Sequence, residues 1–312
     1  MKKFIKNIII YSCFLFFIML ALQILIVLRA KGNITSDNNN LEQTSHINAD
    51  LVLLGSSRCT MHFDPHFFNE AFNLKSVNIG IAGHSDINMA IVRLKCYLLK
   101  NKSPKFAILN FDPFSYAGDV NYHNNIAHKD EFARYAFFPS NDDILIVDYF
   151  KFNLLEKYFP LYSVFKYRQL RDCVILKKTN DFKKYGYQMN DKSWDTIANP
   201  ITTTRKADYF RKYQIASITN SLKELKKLCA ENNIKLLCIQ IPVYKAIYDK
   251  DAFSLTKKMC ENAKISFIDV NTLSIINNID NFFNVFHLNK NGISKMNQFL
   301  EKDKTLVSFL KS

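Results

Sequence analysis

Leu51-Val52-Leu53-Leu54-Gly55-Ser56-Ser57-Arg58 is the stretch on which the reading of this chain turns. Four consecutive apolar residues have the length of a strand buried on both faces, and the Gly-Ser-Ser turn behind them would expose a serine hydroxyl at the strand's carboxyl end. Some 230 residues later, Asn284-Val285-Phe286-His287-Leu288-Asn289 supplies a histidine near the end of the same domain. A serine on a tight turn and a distant histidine are the parts of a nucleophile and its general base. The pairing predicts an acyl-transfer enzyme.

Working outward, short apolar runs recur at residues 77–79, 106–109, 234–241 and 265–270. With 51–54 they make five candidate parallel strands. Helical patterns lie between them. Ile87, Ile91, Leu94 and Leu98 mark one face behind a Ser85-Asp86 cap, and Ile215, Ile218, Leu222, Leu225 and Leu228 mark another. A last helix follows Asn289, with Ile293, Met296 and Leu300 inward. Strands alternating with helices predict an α/β fold, a three-layer α/β/α sandwich around a parallel sheet of about five strands. Residues 113–205 break the rhythm with dense aromatics, among them Phe132, Phe150, Phe152, Tyr158, Phe159 and Trp194, and read as an inserted, mainly helical segment. Aromatics this dense are expected to form core, and the insert could wall one side of a site at the strand carboxyl ends.

The amino terminus reads as a membrane anchor. Residues 7–28 carry no charge over 22 positions, about 33 Å of helix at roughly 1.5 Å per residue, which spans a bilayer. Lys2, Lys3 and Lys6 precede the span, and Arg29 and Lys31 follow it, a slight bias toward a cytoplasmic amino terminus. The apolar run meets Arg29 with no small-residue cleavage site, so an uncleaved anchor is expected. The expected organisation is a cytoplasmic tail (1–6), a single transmembrane helix (7–28), a polar linker (29–48) and an extracytoplasmic domain (49–312) carrying the insert.

The chain has 42 Lys+Arg against 28 Asp+Glu. Part of the excess flanks the anchor, and the rest suits a basic surface beside an anionic membrane or envelope polymer. The seven cysteines form no close CxxC pair, which disfavours zinc ribbons and thioredoxin-like sites. His62 and His66 are separated by a Pro65-containing turn with no completing ligand set, so no metal site is predicted. No phosphate-binding loop, dinucleotide fingerprint or nucleic-acid signature appears, and the reading calls for no cofactor.

Three strands in succession end in reactive or polar turns: Ser57 after the first, Asn78-Ile79-Gly80-Ile81-Ala82-Gly83-His84 after the second, Asn110-Phe111-Asp112-Pro113 after the third. Glycine-rich backbone before a helix could supply oxyanion donors. In this order the blocks resemble the SGNH/GDSL hydrolase superfamily over residues 49–112 and 234–300. The resemblance implies Ser57 as nucleophile, Gly83 as oxyanion donor, Asp112 or Asn110 as the third-block donor, and His287 as base. The anchor joined to a Gly-Ser-Ser turn is similar to membrane-bound members that acylate or deacylate envelope polymers, such as the D-alanine transfer and alginate O-acetylation proteins.

Two positions depart from the family pattern. Asp112 stands where an asparagine usually donates, and an ionised carboxylate would repel an oxyanion unless turned toward Arg58. Asn284 stands where the family has aspartate; its amide oxygen can accept from Nδ1 of His287, but it cannot offset an imidazolium charge and could hold the wrong tautomer. Arg58 and His84 are candidate substrate contacts, Arg58 with a structural pair to Asp112 as its alternative. The expected function is a cell-membrane, single-pass serine esterase or O-acyltransferase acting on acylated envelope glycans, with a membrane O-acyltransferase as a further partner and no nucleic acid. The alternative is a catalytically silent glycan-binding or scaffold protein.

Overall fold

The computed structural model describes residues 1–32, 40–115, 126–175, 186–187, 191–201 and 212–312. The chain forms two compact units, Asn38–Gly118 with Lys183–Ser312, and Met1–Asp37 with Asp119–Phe182.

The larger unit is built on five parallel strands, β1 (Leu51–Leu54), β2 (Ser76–Asn78), β3 (Phe106–Asn110), β4 (Lys235–Gln240) and β5 (Ser266–Asp269), in the order β2-β1-β3-β4-β5. Alternation along each strand divides the core into two layers. Leu51, Leu53, Ile108, Leu237 and Ile239 pack with Phe63, Phe68, Ile293, Met296 and Leu300 on one face. Val52, Leu54, Ala107, Leu109 and Cys238 pack with Ile91, Leu94, Leu222 and Leu225 on the other. The three-layer α/β/α sandwich is thus the fold, with strands and helices where the apolar runs predict them. Asp86 caps the helix Ile87–Lys100 by accepting the Asn88 N–H at 3.0 Å. The chain steps from β1 to β2 on one side, then to β3 on the other, so the switch point of the sheet lies at the carboxyl ends of β1 and β3, where a crevice opens in such folds.

Two expectations need correction. The second half of the polar stretch expected to be a linker belongs to the folded unit. A short helix, Asn40–Gln43, buries Asn40, whose Nδ2 donates to the carbonyls of Asn78 (3.1 Å) and Gly80 (2.7 Å), while Leu41 and Ile47 pack against the sheet's second layer. Low hydropathy hid this because the segment docks through an amide rather than an apolar stripe. The aromatic stretch 113–205 also divides: Trp194 packs edge-on against Tyr244 in the larger unit, at 5.1 Å between ring centres, whereas residues 119–182 belong with the amino-terminal helix.

In the smaller unit, helix Lys2–Gly32 contains a window of mean hydropathy 2.6, long and apolar enough to cross a membrane. The short helices Ile126–Phe132, Ile144–Tyr149, Leu154–Tyr158, Tyr162–Lys166 and Arg168–Ile175 gather around Phe132, Phe150, Phe152 and Tyr167, with Phe132 stacked on Phe150 at 4.5 Å. These aromatics are core. Gln23, Val27 and Ala30, one face of the long helix by their spacing, are buried in the same unit.

Candidate active site

Ser57 is placed by a backbone that only glycine suits. Gly55, directly after β1, has φ +145°, and a Cβ there would come within 2.9 Å of both Asn110 Cβ and Cys59 Cβ. The chain then turns into the short helix Ser57–His62, capped by Ser56, whose hydroxyl accepts the Arg58 N–H at 3.3 Å. Ser57 is the first residue of that helix, where backbone N–H groups have no acceptor within the helix.

His287 comes from the opposite end of the sequence. A two-stranded antiparallel ribbon, β6 (Phe282–Asn284) and β7 (His287–Leu288), pairs Asn284 with His287. It brings His287 Nε2 to 3.0 Å from Ser57 Oγ, while Nδ1 lies 3.1 Å from Asn284 Oδ1. The orientation of the Asn284 amide is fixed independently, because the same atom accepts the backbone N–H groups of Phe286 (2.9 Å) and His287 (3.0 Å) and must therefore be oxygen. Nδ1 carries the proton it donates, leaving the Nε2 lone pair facing the serine hydroxyl. The expected hazard of a wrong tautomer does not arise, since backbone donors hold the amide.

Burial and the nearby Arg58 charge lower the His287 pKa to about 3, and among the described residues no carboxylate hydrogen-bonds to the ring to counter them. His62, its ring tilted against that of His287 with 5.6 Å between ring centres, is likewise pushed well below the ordinary histidine range by burial and by the charges of His287 and Arg58. Its Nε2 accepts the Leu288 N–H at 3.0 Å and so holds the residue after His287. Nothing in the sequence marked this role; the residue stood out only as one of a histidine pair, and His66 is exposed on the next helix while His62 is buried. Among the described residues, no three His, Cys, Asp or Glu side chains gather as metal ligands would.

Arg58, 3 % exposed, ties the site together. Its Nε donates to Asp112 Oδ2 at 2.6 Å, Nη2 to the carbonyls of Ile241 (2.6 Å) and Pro242 (3.2 Å), and Nη1 to the Phe286 carbonyl. Asp112 also accepts from Asn110 Nδ2 at 3.0 Å and from the Phe114 N–H at 3.0 Å. Both third-block candidates are therefore engaged with each other beneath the turn, and Arg58 spends its donors on the protein. Asn78 holds the second turn: its Nδ2 donates to the carbonyls of Cys59 and Phe63, and its Oδ1 accepts the Gly80 N–H at 3.0 Å. Gly83 follows on an exposed turn at φ +79°, a conformation suited to glycine, and His84 beside it is buried.

No family model and no curated protein matches the chain. Solved structures that it resembles include a "putative acylhydrolase" from Bacteroides fragilis (12 % identity, TM-score 0.36, covering 83 % of this chain and 87 % of that one). A GDSL-like lipase from Bacteroides thetaiotaomicron is similar at 10 % identity and TM-score 0.37, covering 84 % and 88 %. Likenesses of that size say nothing of what this chain does.

Proposed function

We propose that the protein is a membrane-anchored, extracytoplasmic serine esterase or O-acyltransferase that works through an acyl-serine at Ser57 on acylated envelope glycans. The observation that carries this reading is the unbroken relay from Ser57 Oγ through His287 to Asn284 Oδ1, with steps of 3.0 and 3.1 Å. Ser57 Oγ attacks the acyl carbonyl carbon as Nε2 of His287 takes the hydroxyl proton. The carbonyl oxygen, now negative, is received by the backbone N–H groups of Ser57 and Gly83. Collapse of this intermediate expels the alcohol, which leaves with the proton from Nε2. Water or a second sugar hydroxyl then attacks the acyl-serine, giving its proton to Nε2, and that proton returns to Ser57 Oγ.

Arg58 and Asp112 act as positioning residues in this scheme: the guanidinium fastens the Phe286 carbonyl next to the base. Location rests on helix Lys2–Gly32 and the basic residues at both of its ends. The anchored form also suits handing an acyl group on from a membrane O-acyltransferase.

One observation favours the silent glycan-binding alternative, namely that among the described residues no carboxylate hydrogen-bonds to the imidazole. A fluorophosphonate probe on the full-length protein in detergent separates the two readings. Labelling at Ser57 that His287→Ala abolishes is the expected result; a folded protein that neither labels nor turns over a p-nitrophenyl acyl ester overturns the enzyme reading. Acetylated oligosaccharide product, sought by mass spectrometry with an acyl donor present, distinguishes transfer from hydrolysis.

A further inference from the structure

Resting on the reading of Lys2–Gly32 as a membrane span, we propose that residues 154–165 of the insert form an interfacial platform sunk into the bilayer beside that span, with Leu154, Leu155, Tyr158, Phe159 and Phe165 at the headgroup–acyl boundary.

The depth follows from two levels of contact on the long helix. At its carboxyl end the contacts are charged: Lys31 pairs with Asp143 at 2.6 Å and lies over the Tyr135 ring, and Arg134 Nη1 donates to the Ala30 carbonyl at 3.2 Å. Further down, the buried Gln23 accepts the backbone N–H of Leu161 at 2.8 Å. Leu28 is the last apolar residue before Arg29, so Gln23 lies five residues inside the span, about 7–8 Å along an axis that rises roughly 1.5 Å per residue. Interfacial segments bury their apolar faces by about 5–10 Å. The Leu161 turn therefore sits at lipid depth.

At that depth an unmatched backbone N–H costs several kcal/mol, and irregular backbone is tolerated only where protein satisfies it. Leu161 is such a residue, with φ 63°, and Gln23 satisfies it. The one uncharged polar side chain in this half of the span thus has a stated purpose. Around the turn the surface is apolar where a water-facing surface would be polar: Phe165 is 76 % and Leu154 74 % exposed, with Leu155, Tyr158 and Phe159 about half exposed. Phe165 follows Leu161 by one helical turn, its N–H donating to the Leu161 carbonyl at 3.0 Å, and Phe159 precedes it by two residues. Tyr158 packs edge-on against the exposed Phe138, extending the patch. At the same level of the helix, Leu22 and Leu25 are exposed. The chosen occupant is accordingly lipid, because lipid is the solvent at this level of the helix.

The experiment uses the full-length chain, purified and reconstituted into phosphatidylcholine vesicles, in a Cys13→Ser/Cys173→Ser background. Cysteines added one at a time at Phe159→Cys, Phe165→Cys, Leu15→Cys within the span and Leu99→Cys on the larger unit carry an environment-sensitive fluorophore, the five native cysteines that remain being buried. Doxyl-labelled lipid and aqueous iodide serve as the two quenchers. The expected result is loss of emission with doxyl lipid but not with iodide at 15, 159 and 165, and the reverse at 99. Lipid quenching at 15 with iodide quenching at 159 and 165 overturns the platform while leaving the anchor intact. Quenching of 159 and 165 by neither agent means that protein, a second copy of this chain, covers the patch, and also overturns it. Absence of lipid quenching at 15 removes the anchor, and the platform with it.

Discussion

Asn284 Oδ1 accepts the Nδ1–H of His287 while two backbone N–H groups of the same turn hold that oxygen in place. In the proposed mechanism an amide therefore does half of what a carboxylate does in a serine triad. It sets the tautomer and aims Nε2 at Ser57, but it brings no negative charge to meet the imidazolium that this mechanism would form when the serine gives up its proton. Geometry and electrostatics, which an aspartate supplies together, are separated here.

That separation fixes the outcome of Asn284→Asp. An aspartate can accept the same three donors, so the turn survives, and its charge raises the His287 pKa from about 3 toward the ordinary range. The change should speed acyl-ester turnover by about 10- to 100-fold, less than the roughly 10⁴ associated with a wrong tautomer, because the tautomer is already right. The acidic limb of kcat/KM should rise with it, since protonation of a base with a higher pKa sets in at higher pH. Asn284→Ala should lower turnover, having lost both the tautomer control and the turn. Profiles of p-nitrophenyl ester hydrolysis against pH decide this; an acidic limb near 6.5 in the wild-type protein would contradict the lowered pKa.

Acid should also weaken the fold through the same pair of rings. His62 and His287 both have folded-state pKa values below the unfolded value near 6.5. Between those limits the unfolded chain binds protons that the folded chain refuses, so their contribution to stability is whole above pH 6.5 and is lost as pH falls toward the folded values. His62→Gln keeps an acceptor for the Leu288 N–H without a titrating ring. Its thermal midpoint should drop less between pH 6.5 and 4.5 than that of the wild type, as differential scanning fluorimetry would show.

Much of this was legible before the structure, and the reasons for the exceptions are physical. A strand buried on both faces has to be a continuous apolar run, so β1 to β5 and their alternation with helices showed through. The serine and histidine stood out because each sits beside turn residues at the boundary of an element. What stayed hidden acts through single polar contacts with no periodic signature. Asn40 docks a low-hydropathy segment on the Asn78–Gly80 turn, His62 accepts one backbone N–H beside the base, and Gln23 accepts one from a residue 138 positions away. Gln23 did leave a trace, as the one polar residue in the carboxyl-terminal half of the span. Whether Arg58 faced Asp112 or open solvent could not be read from spacing, since both residues follow strand ends and either placement is compatible with the pattern.

The Arg58–Asp112 pair should behave as a buried ion pair does. Both side chains are almost wholly inaccessible, so Arg58→Ala leaves a buried carboxylate with its charge unmet, at a cost of about 3–5 kcal/mol. Arg58→Ala/Asp112→Ala should cost clearly less than the two single changes added, because the second removes the charge that the first strands. Urea unfolding of the four proteins gives the coupling; strict additivity would show that the 2.6 Å contact is not an energetic unit.

Gly55→Ala should disable the site without touching a reacting atom. At φ +145° an alanine is strained, by about 1–3 kcal/mol, and its Cβ would press on Asn110 and Cys59, both packed beneath the serine turn. Relief can come only by shifting the turn, which carries Ser57 off its 3.0 Å contact with His287. Fluorophosphonate labelling at Ser57 should therefore fall by a larger factor than the loss of stability accounts for. Equal labelling of the folded fraction in both proteins would show that the turn tolerates the methyl group.

Gln23→Leu tests the smaller unit, and its sign runs against the usual rule for membrane spans. Replacing a polar residue by leucine in an apolar helix ordinarily favours insertion. Here the glutamine oxygen is the acceptor for the Leu161 N–H, and leucine leaves that donor without a partner inside the protein. An unsatisfied buried donor costs about 1–3 kcal/mol, which the added apolar surface does not return at the same place. The anchor should remain in the membrane fraction while the 159–162 turn loosens. Hydrogen–deuterium exchange of the reconstituted protein would report this as faster exchange at Leu161 and its neighbours, with the protection of β1 and β3 unchanged. Unaltered protection at Leu161 would mean that the contact with Gln23 does not hold the turn.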